Sequence, residues 1–265
     1  MNNETSPYYT LITGASSGIG HELAKECAGR GHNLFLIALP GNGFADFATR
    51  LKQQYGVKVD YMVEDLTWSD TPVKVYNYAK NKGLKINILI NNAGNGHVGK
   101  FEAMNIIKVE EMIHLNLRAL TIMTLLFIKD METYSNAHIL NVGSLGAYTP
   151  VAYKTVYMAT KSFVYYFTQS LRQEYRHSTI KFSVLMPGAV ITNPEVELRI
   201  KKAGFLGRVS ALTPQFVAKY SIQKMIKGKF AIMPGTINQL IFNVSAFLPS
   251  GILLYITRQV FRKTD

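Results

Sequence analysis

Residues Tyr8-Tyr9-Thr10-Leu11-Ile12-Thr13-Gly14-Ala15-Ser16-Ser17-Gly18-Ile19-Gly20 contain the pattern that decides the fold. The first six are typical of a β-strand, and residues 21–28 after the glycines are typical of a helix. Small residues let the backbone approach a phosphate closely, and the N–H groups and dipole at a helix start favour its negative charge. A glycine run between a strand and a helix therefore predicts a dinucleotide-binding turn.

Predicted strands and helices alternate along the chain beyond this turn. Strands are predicted at 33–39, 58–63, 86–90, 138–142, 181–186 and 230–233, and helices at 44–55, 69–82, 108–131, 152–175 and 214–227. Strands that alternate with helices form parallel sheets through right-handed crossovers. We therefore expect a single α/β domain over residues 1–265, a doubly wound, Rossmann-like parallel sheet of about seven strands with helices on both faces.

Composition excludes two kinds of site. The chain has 265 residues, of which 48% are hydrophobic and 17% charged, and this is a globular composition with few charges. The single cysteine, Cys27, cannot form an internal disulfide. The six histidines show neither an H-x-x-x-H pair nor a Cys/His cluster with ligand spacing, so we predict no metal site.

Positive charge is concentrated at the end of the chain. From Glu195 onward the chain has eleven Lys or Arg residues and three acidic residues, so this part carries +8 of the formal net charge of +12. No arginine-rich run, zinc finger or RNA-binding aromatic motif accompanies it, so we predict no nucleic-acid partner and favour an anionic membrane surface. No signal peptide precedes Tyr8, and we therefore expect a cytoplasmic protein, peripheral on the inner face of a membrane if it binds one.

The ends of the predicted strands carry candidate ligand contacts. The second strand ends in Ala38-Leu39-Pro40, without the acid that would hydrogen-bond the ribose 2′-hydroxyl of NAD and without an arginine, so NADP is preferred weakly over NAD. Asp65 follows the third strand, where it could contact an adenine, or it or Thr67 could cap the next helix. Residues 91–96 and 187–192 leave two later strands.

Tyr157 and Lys161 form a candidate proton-transfer pair. Four residues apart on one helix, they share a face, and a nearby cation would lower the pKa of the phenol toward neutral pH. Ser144 would hold the substrate oxygen. Asn116 lies in the apolar helix predicted at 108–131, where an amide needs a partner.

In this order the motifs resemble the short-chain dehydrogenase/reductase family over roughly residues 8–235. The resemblance implies that Tyr157 is the general acid/base, that Lys161 lowers its pKa and contacts the nicotinamide ribose, that Ser144 orients the carbonyl, and that Asn116 holds a water in a proton relay. It further implies adenine contact by Asp65, and nicotinamide contact by Thr192. The implied cofactor-binding residues are Gly14, Ser16, Ser17, Gly18, Ile19, Gly20, Asp65, Leu66, Asn91, Ala93, Gly94, Tyr157, Lys161, Pro187, Gly188, Val190 and Thr192.

Two local features need separate interpretation. Gly143 stands where many family members have a second serine, which leaves the catalytic position untouched. Tyr153 is eight residues from Lys161, too far along a helix to pair with it, so we assign Tyr153 to packing of the substrate loop.

The last thirty residues, 236–265, are predicted to form an apolar and basic helical extension. Two apolar segments, 237–248 and 252–261, flank Pro249-Ser250-Gly251, and polar residues such as Asn238 argue against a membrane span. The extension is either a cap over the substrate cleft or a dimer contact, or an in-plane membrane anchor.

The predicted function is an NAD(P)(H)-dependent oxidoreductase that reduces a hydrophobic ketone, such as a 3-oxoacyl lipid or a steroid-like molecule, as a homo-oligomer (dimer or tetramer). The alternatives are a non-catalytic nucleotide-binding sensor and a lipid-interaction protein on the same fold.

Overall fold

The computed structural model describes residues 7–41, 43–202 and 209–261. Seven strands are parallel: β1 (Tyr8–Thr13), β2 (Asn33–Ala38), β3 (Val59–Val63), β4 (Lys85–Asn91), β5 (Ala137–Val142), β6 (Ile180–Leu185) and β7 (Ala231–Ile232). They form one sheet in the order β3-β2-β1-β4-β5-β6-β7. The predicted doubly wound parallel sheet is confirmed.

Helices cover both faces of this sheet. They are α1 (Gly18–Gly29), α2 (Phe44–Tyr55), α3 (Thr71–Asn81), α4 (Ile106–Ile113), α5 (Leu120–Met131), α6 (Thr155–Glu174), α7 (Pro194–Lys202), α8 (Pro214–Ile226), α9 (Thr236–Phe247) and α10 (Ser250–Phe261). Strands buried on both faces require continuous apolar runs, and β2 and β5 are buried at every residue.

Two apolar clusters on opposite faces of the sheet hold the helices. Ile12 of β1 belongs to the cluster with α1, α2 and α8, whereas its neighbour Leu11 belongs to the cluster with α3 and α5. Successive side chains of a strand point to opposite faces, so the alternation follows from strand geometry.

The strand order reverses between β1 and β4, which lie side by side although two strands separate them in the chain. In open α/β sheets ligands bind outside the carboxyl ends of the strands at such a point. The glycine turn after β1 and residues 92–96 after β4 therefore flank the expected crevice.

The predicted helix at 108–131 differs from a regular α-helix. Between α4 and α5 lies a six-residue π-helical segment, His114–Ala119, and Asn116 is at its centre. This continuous run from Ile106 to Met131 is the one described helix long and apolar enough to cross a membrane, and 44% of its most apolar window is buried inside the domain. Met112, Leu120 and Met123 fill the core, so the run is built into the fold.

The structure differs from the sequence-based expectations at two other places. Neither Asp65 nor Thr67 caps a helix, because α3 begins at Thr71 after Asp70, with Pro72 in its first turn. Helix α7 was not predicted, and Asn193 initiates it by accepting a hydrogen bond from the Val196 N–H at 2.9 Å.

The C-terminal helix α9 packs against the domain. Phe242 contacts Tyr148 in edge-to-face geometry, with ring centroids 4.9 Å apart. Gln239 donates to the Met233 carbonyl at 2.8 Å, and Asn238 is buried. The opposite side of α9 exposes an apolar stripe consisting of Ile237, Leu240, Ile241 and Val244.

Candidate active site

The glycine turn packs directly against the end of β4. A Cβ at Gly14, where φ is +66°, would lie 2.9 Å from the Ala93 Cα atom, and a Cβ at Gly20 would collide with the Gly14 carbonyl and the Asn92 amide. Both positions therefore require glycine. Ser17 precedes α1, and its side chain makes no capping hydrogen bond to the N–H groups of the first turn, which begin directly after the glycine turn.

Polar side chains join β1 to β4 at the crevice. The Thr13 hydroxyl accepts hydrogen bonds from the N–H groups of Asn92 and Ala93, both at 3.0 Å, and Asn92 Nδ2 donates to the Thr13 carbonyl at 2.9 Å. Asn91 points into the core, where Nδ2 donates to Asn141 Oδ1 at 2.8 Å. Only the backbone of Asn91 is thus placed to border a ligand.

Four other residues assigned to cofactor binding have side chains that pack into the apolar core, so they too would meet a ligand mainly through their backbone: Ile19, Leu66, Ala93 and Val190. Asp65 lies at the end of β3. Its Oδ1 atom accepts from both the N–H and the hydroxyl of Thr67 at 2.8 Å, which fixes the carboxylate at the carboxyl edge of the sheet.

Ser144, Tyr157 and Lys161 meet beside the ends of β5 and β4. The Ser144 hydroxyl accepts a hydrogen bond from the Gly146 N–H at 3.4 Å and lies near enough to the Tyr157 phenol to lower its pKa. Lys161 is 5% exposed, and its Nζ atom donates to the Val142 carbonyl at 2.8 Å and lies 5.9 Å from the centroid of the Tyr157 ring. The helical spacing of the pair and the thirteen-residue step from Ser144 thus bring the three predicted side chains together.

The electrostatics of the pair differ from the expectation. Burial raises the pKa of the Tyr157 phenol above its ordinary value, and the nearby Ser144 hydroxyl opposes this rise. Burial also lowers the pKa of the Lys161 ammonium to about 8. The predicted lowering of the tyrosine pKa is therefore not seen, because desolvation of the phenol outweighs the effect of Ser144.

Asn116 joins the loop after β4 to the helix that carries Tyr157. Its Oδ1 accepts from the Asn95 N–H at 3.0 Å, and its Nδ2 donates to the Asn95 carbonyl at 2.9 Å and to Thr160 Oγ1 at 3.0 Å. Thr160 in turn donates to the Tyr157 carbonyl at 2.7 Å. The hydrogen bonds of the Asn116 side chain thus hold α6, which carries Tyr157, against the loop after β4.

Two residues near the pair were missed as site components. Thr160 bonds Asn116, and its place between Tyr157 and Lys161 was its only signal in the sequence. Gly96 lies against the Tyr157 ring, since a Cβ there would be 2.9 Å from Tyr157 Cδ2. Gly94 was assigned to the site, and a Cβ there would be 3.0 Å from Asn116 Oδ1 and 3.2 Å from Lys161 Nζ.

The loop after β6, residues 187–192, closes the crevice from the other side. The Pro187 carbonyl accepts from the Leu145 N–H at 2.9 Å, beside Ser144. At the far end, Thr192 reaches the glycine turn, because a Cβ at Gly18 would be 3.1 Å from Thr192 Cγ2. The loop therefore runs from Pro187, beside Ser144, to Thr192, beside the glycine turn.

Tyr153 has a strained backbone next to the site. Its φ is +66°, which is unusual for a residue with a side chain, and its carbonyl accepts from the Gly99 N–H at 2.9 Å. This bond links the turn before α6 to the loop after β4. The role of the Tyr153 side chain in packing of the substrate loop stays a prediction.

The family model described as short chain dehydrogenase matches residues 9–203. The chain belongs to the short-chain dehydrogenase family. It is 34% identical over 188 residues to 17-beta-hydroxysteroid dehydrogenase type 3 of Homo sapiens, which covers 69% of this chain and 59% of that protein. It is 32% identical over 192 residues to very-long-chain 3-oxoacyl-CoA reductase of Macaca fascicularis, covering 69% and 60%. The chain thus spans about 60% of the length of these curated relatives.

Among solved structures, the chain is similar to a short-chain dehydrogenase from Sphingobium yanoikuyae in complex with NADPH. The TM-score is 0.76 at 27% identity, and the match covers 91% of this chain and 96% of that one. The crevice described above therefore belongs to a fold whose overall arrangement is shared with an NADPH complex.

Proposed function

We propose that this chain is a nicotinamide-dependent oxidoreductase that interconverts a carbonyl and an alcohol, with NADP preferred and NAD as the alternative. The observation that carries the proposal is that Ser144, Tyr157 and the buried Lys161 lie together beside the loop after β4, with Lys161 Nζ 5.9 Å from the centroid of the Tyr157 ring. This arrangement offers a proton donor and a second polar group to one substrate oxygen.

The residues at the crevice fit a dinucleotide. The free N–H groups at the start of α1 and the exposed hydroxyls of Ser16 and Ser17 would hold its phosphates, and Asp65 would contact the adenine. Lys161 would contact the nicotinamide ribose and Thr192 the nicotinamide amide. When bound, the cofactor supplies the hydride from its C4 atom. At the end of β2 the chain has no carboxylate to repel a 2′-phosphate, which supports NADP.

Reduction is the proposed direction, because it uses the neutral phenol as a proton donor. The raised pKa of Tyr157 keeps the phenol protonated near neutral pH, ready to donate its proton to a developing alkoxide. Ser144 would orient the carbonyl oxygen toward the phenol. The role of Asn116 in holding a water stays a prediction. Its side chain already forms hydrogen bonds with Asn95 and Thr160.

The test is Tyr157→Phe, with the loss of NADPH absorbance followed in the presence of a ketone that the parent reduces. Removing the proton donor should lower kcat by about 10²- to 10⁴-fold. Tyr255→Phe is the matched control, because that ring is 65% exposed on α10. Retention of most activity by Tyr157→Phe would refute the assignment.

We propose that the substrate is a hydrophobic ketone, either a 3-oxoacyl lipid or a steroid-like molecule. The names of the two relatives at 34% and 32% identity support both classes. A panel that compares 3-oxoacyl thioesters, steroid ketones and short polar ketones separates them. Equal or better turnover of the short polar ketones would contradict the proposal.

We propose that α9 and α10 bind the surface of an anionic membrane in the plane of the interface. The apolar stripe of α9 continues in exposed Ile252, Leu254 and Tyr255 of α10, with the basic Arg258 beyond them. Truncation after Gly235 would remove both helices, but it would also disturb the domain, because α9 packs against the domain through Asn238 and Phe242.

A pair of substitutions on the stripe keeps the packed face intact. Leu240→Ser with Val244→Ser should reduce co-sedimentation with anionic vesicles severalfold, whereas Val73→Ser, on the exposed side of α3, should not. Binding that ignores the pair, or that is equal for neutral vesicles, would exclude the anchor.

We also propose a homo-oligomer. Three large apolar side chains on the helical run from Ile106 to Met131 are exposed: Ile106 is 72% exposed, Ile107 58% and Leu125 61%. Contact with a second copy of the chain would remove these side chains from water. Light scattering measures the state directly, and a monomeric mass at micromolar concentration would overturn this point.

A further inference from the structure

Asn238 is a buried amide in α9 that the proposed chemistry does not use. It is 1% exposed, and its Nδ2 atom donates to the Ser210 carbonyl at 3.2 Å and to the Pro234 carbonyl at 3.1 Å. Its Oδ1 atom has no hydrogen-bond partner among the described residues. A buried polar atom without a partner is costly, so its position needs a reason.

The unpartnered oxygen lies against Gly188 in the loop after β6. A Cβ at Gly188 would be 2.7 Å from Asn238 Oδ1 and 2.9 Å from both Cγ and Nδ2. The amide plane therefore rests on the Gly188 backbone, and any side chain there would displace it. Contact this close to backbone fixes the distance between α9 and the loop.

Asn238 also holds the segment that pairs with this loop. Ser210, whose carbonyl it binds, lies two residues before Leu212. The Leu212 N–H donates to the Ala189 carbonyl at 2.9 Å, and the Ile191 N–H donates to the Leu212 carbonyl at 3.0 Å. Asn238 thus contacts Gly188 and Ser210, which directly precede the two segments of the short parallel bridge between Val190 and Leu212.

The bridge ends at the glycine turn. Thr192 follows Ile191 directly and reaches Gly18, where φ is +55°. A shift of Gly188 would therefore move the bridge and, with it, the contact between Thr192 and the glycine turn.

We propose that Asn238 is a positioning residue that sets the affinity for the nicotinamide dinucleotide by fixing residues 187–192 against the glycine turn. The inference rests on the proposed function for its ligand. Asn238 acts through Gly188 and Ser210 and contacts no reacting atom.

The first test is Asn238→Ala, with NADPH binding measured by quenching of the single tryptophan, Trp68, and by calorimetry. The Kd for NADPH should rise about 5- to 10-fold and KM with it, while kcat changes less than about twofold. Asn33→Ala is the matched control: Asn33 is also 1% exposed and bonds backbone of Tyr8 and Lys58, but it lies at the opposite end of the strands. Asn33→Ala should lower stability and leave the Kd unchanged.

The second test uses the close contact at Gly188. Gly188→Ala should weaken NADPH binding more than about tenfold, because the added methyl group meets the Asn238 amide. Combined with Asn238→Ala, which removes that amide, the Kd should return to the value of Asn238→Ala alone. If the double variant instead raises the Kd by the product of the two single-variant factors, the inference is overturned. Binding free energies that simply add would mean that the two residues act independently.

Hydrogen exchange separates this inference from the proposed function. Without any dinucleotide, Asn238→Ala should speed exchange at the amides of Ile191 and Leu212 and leave Asn92, bonded to Thr13, unchanged. If the parent binds neither NADPH nor NADH, the proposed function fails. If the parent binds and Asn238→Ala changes neither Kd nor exchange, the inference fails. Asn238→Ser repeats both measurements should the alanine variant not fold.

Discussion

Replacing Lys161 with Met should abolish activity and yet stabilise the protein at neutral pH. Burial lowers the pKa of this ammonium from 10.5 to about 8, a difference of about 2.5 units. At 1.36 kcal/mol per unit, the charged side chain costs about 3 kcal/mol in the folded state at pH 7. Methionine removes the charge and keeps most of the volume.

One loss opposes this gain. The Val142 carbonyl accepts a hydrogen bond from Lys161 at 2.8 Å, and leaving it unpaired costs about 1–3 kcal/mol. The net stabilisation expected at pH 7 is therefore about 1 kcal/mol. The pH dependence separates the two effects, because only the charge titrates.

The sign follows from linkage. Since the folded pKa is depressed, the unfolded chain binds more protons between about pH 8 and 10.5, and the parent gains stability as pH rises through that window. The advantage of Lys161→Met should accordingly fall by about 3 kcal/mol over the same range. Above it, the variant should be the less stable protein.

Urea unfolding of the parent and of Lys161→Met at about pH 7, 9 and 10.5 measures this difference. Lys129→Met, at an exposed position of α5, should stay within about 0.5 kcal/mol of the parent at every pH. A difference between parent and Lys161→Met that is the same at all three pH values would refute the reasoning, because the ammonium would then not be desolvated.

Three further predictions concern other residues. Burial lowers the pKa of His138 to about 4, so the folded state resists its protonation: stability should be complete above about pH 6.5 and fall by about 2 kcal/mol by pH 5, and His138→Gln should lose that slope in urea unfolding. Burial raises the pKa of the Cys27 thiol to about 12, so iodoacetamide at about pH 8 should label it only after unfolding, and rapid native labelling would disagree. Gly96→Ala places a methyl group 2.9 Å from the Tyr157 ring and should lower kcat about tenfold, whereas Gly251→Ala, with open space around it, should leave kcat unchanged.

The sheet could be predicted because parallel strands buried on both faces leave continuous apolar runs in the sequence, as β2 and β5 do. The turn at Gly14 could be predicted because its chemistry is local: glycines between a strand and a helix. For the same reason the spacing of Tyr157 and Lys161 predicted that the two side chains lie close together, and their catalytic role stays a prediction. The family match and the fold confirmed the membership that these motifs indicated.

Long-range contacts could not be predicted. The π-helical segment at Asn116 leaves the apolar pattern of the helix unchanged, and its amide bonds Asn95 and Thr160, which are 21 and 44 residues away. The pKa of Tyr157 was predicted with the wrong direction, because helical spacing reports the nearness of a charge and says nothing of burial. Asn238 was interpreted only as a polar interruption, since its partner Gly188 is remote in sequence.

The central claim is that this crevice brings a nicotinamide cofactor and a hydrophobic ketone together for hydride transfer beside Tyr157. The most direct measurement is to incubate the protein with NADPH deuterated at both C4 positions and a 3-oxoacyl or steroid ketone, and to analyse the product by mass spectrometry. We expect one deuterium on the carbinol carbon of the alcohol, and almost none of this product with Tyr157→Phe. No labelled alcohol from any ketone of the panel, with NADPH demonstrably bound, would contradict it.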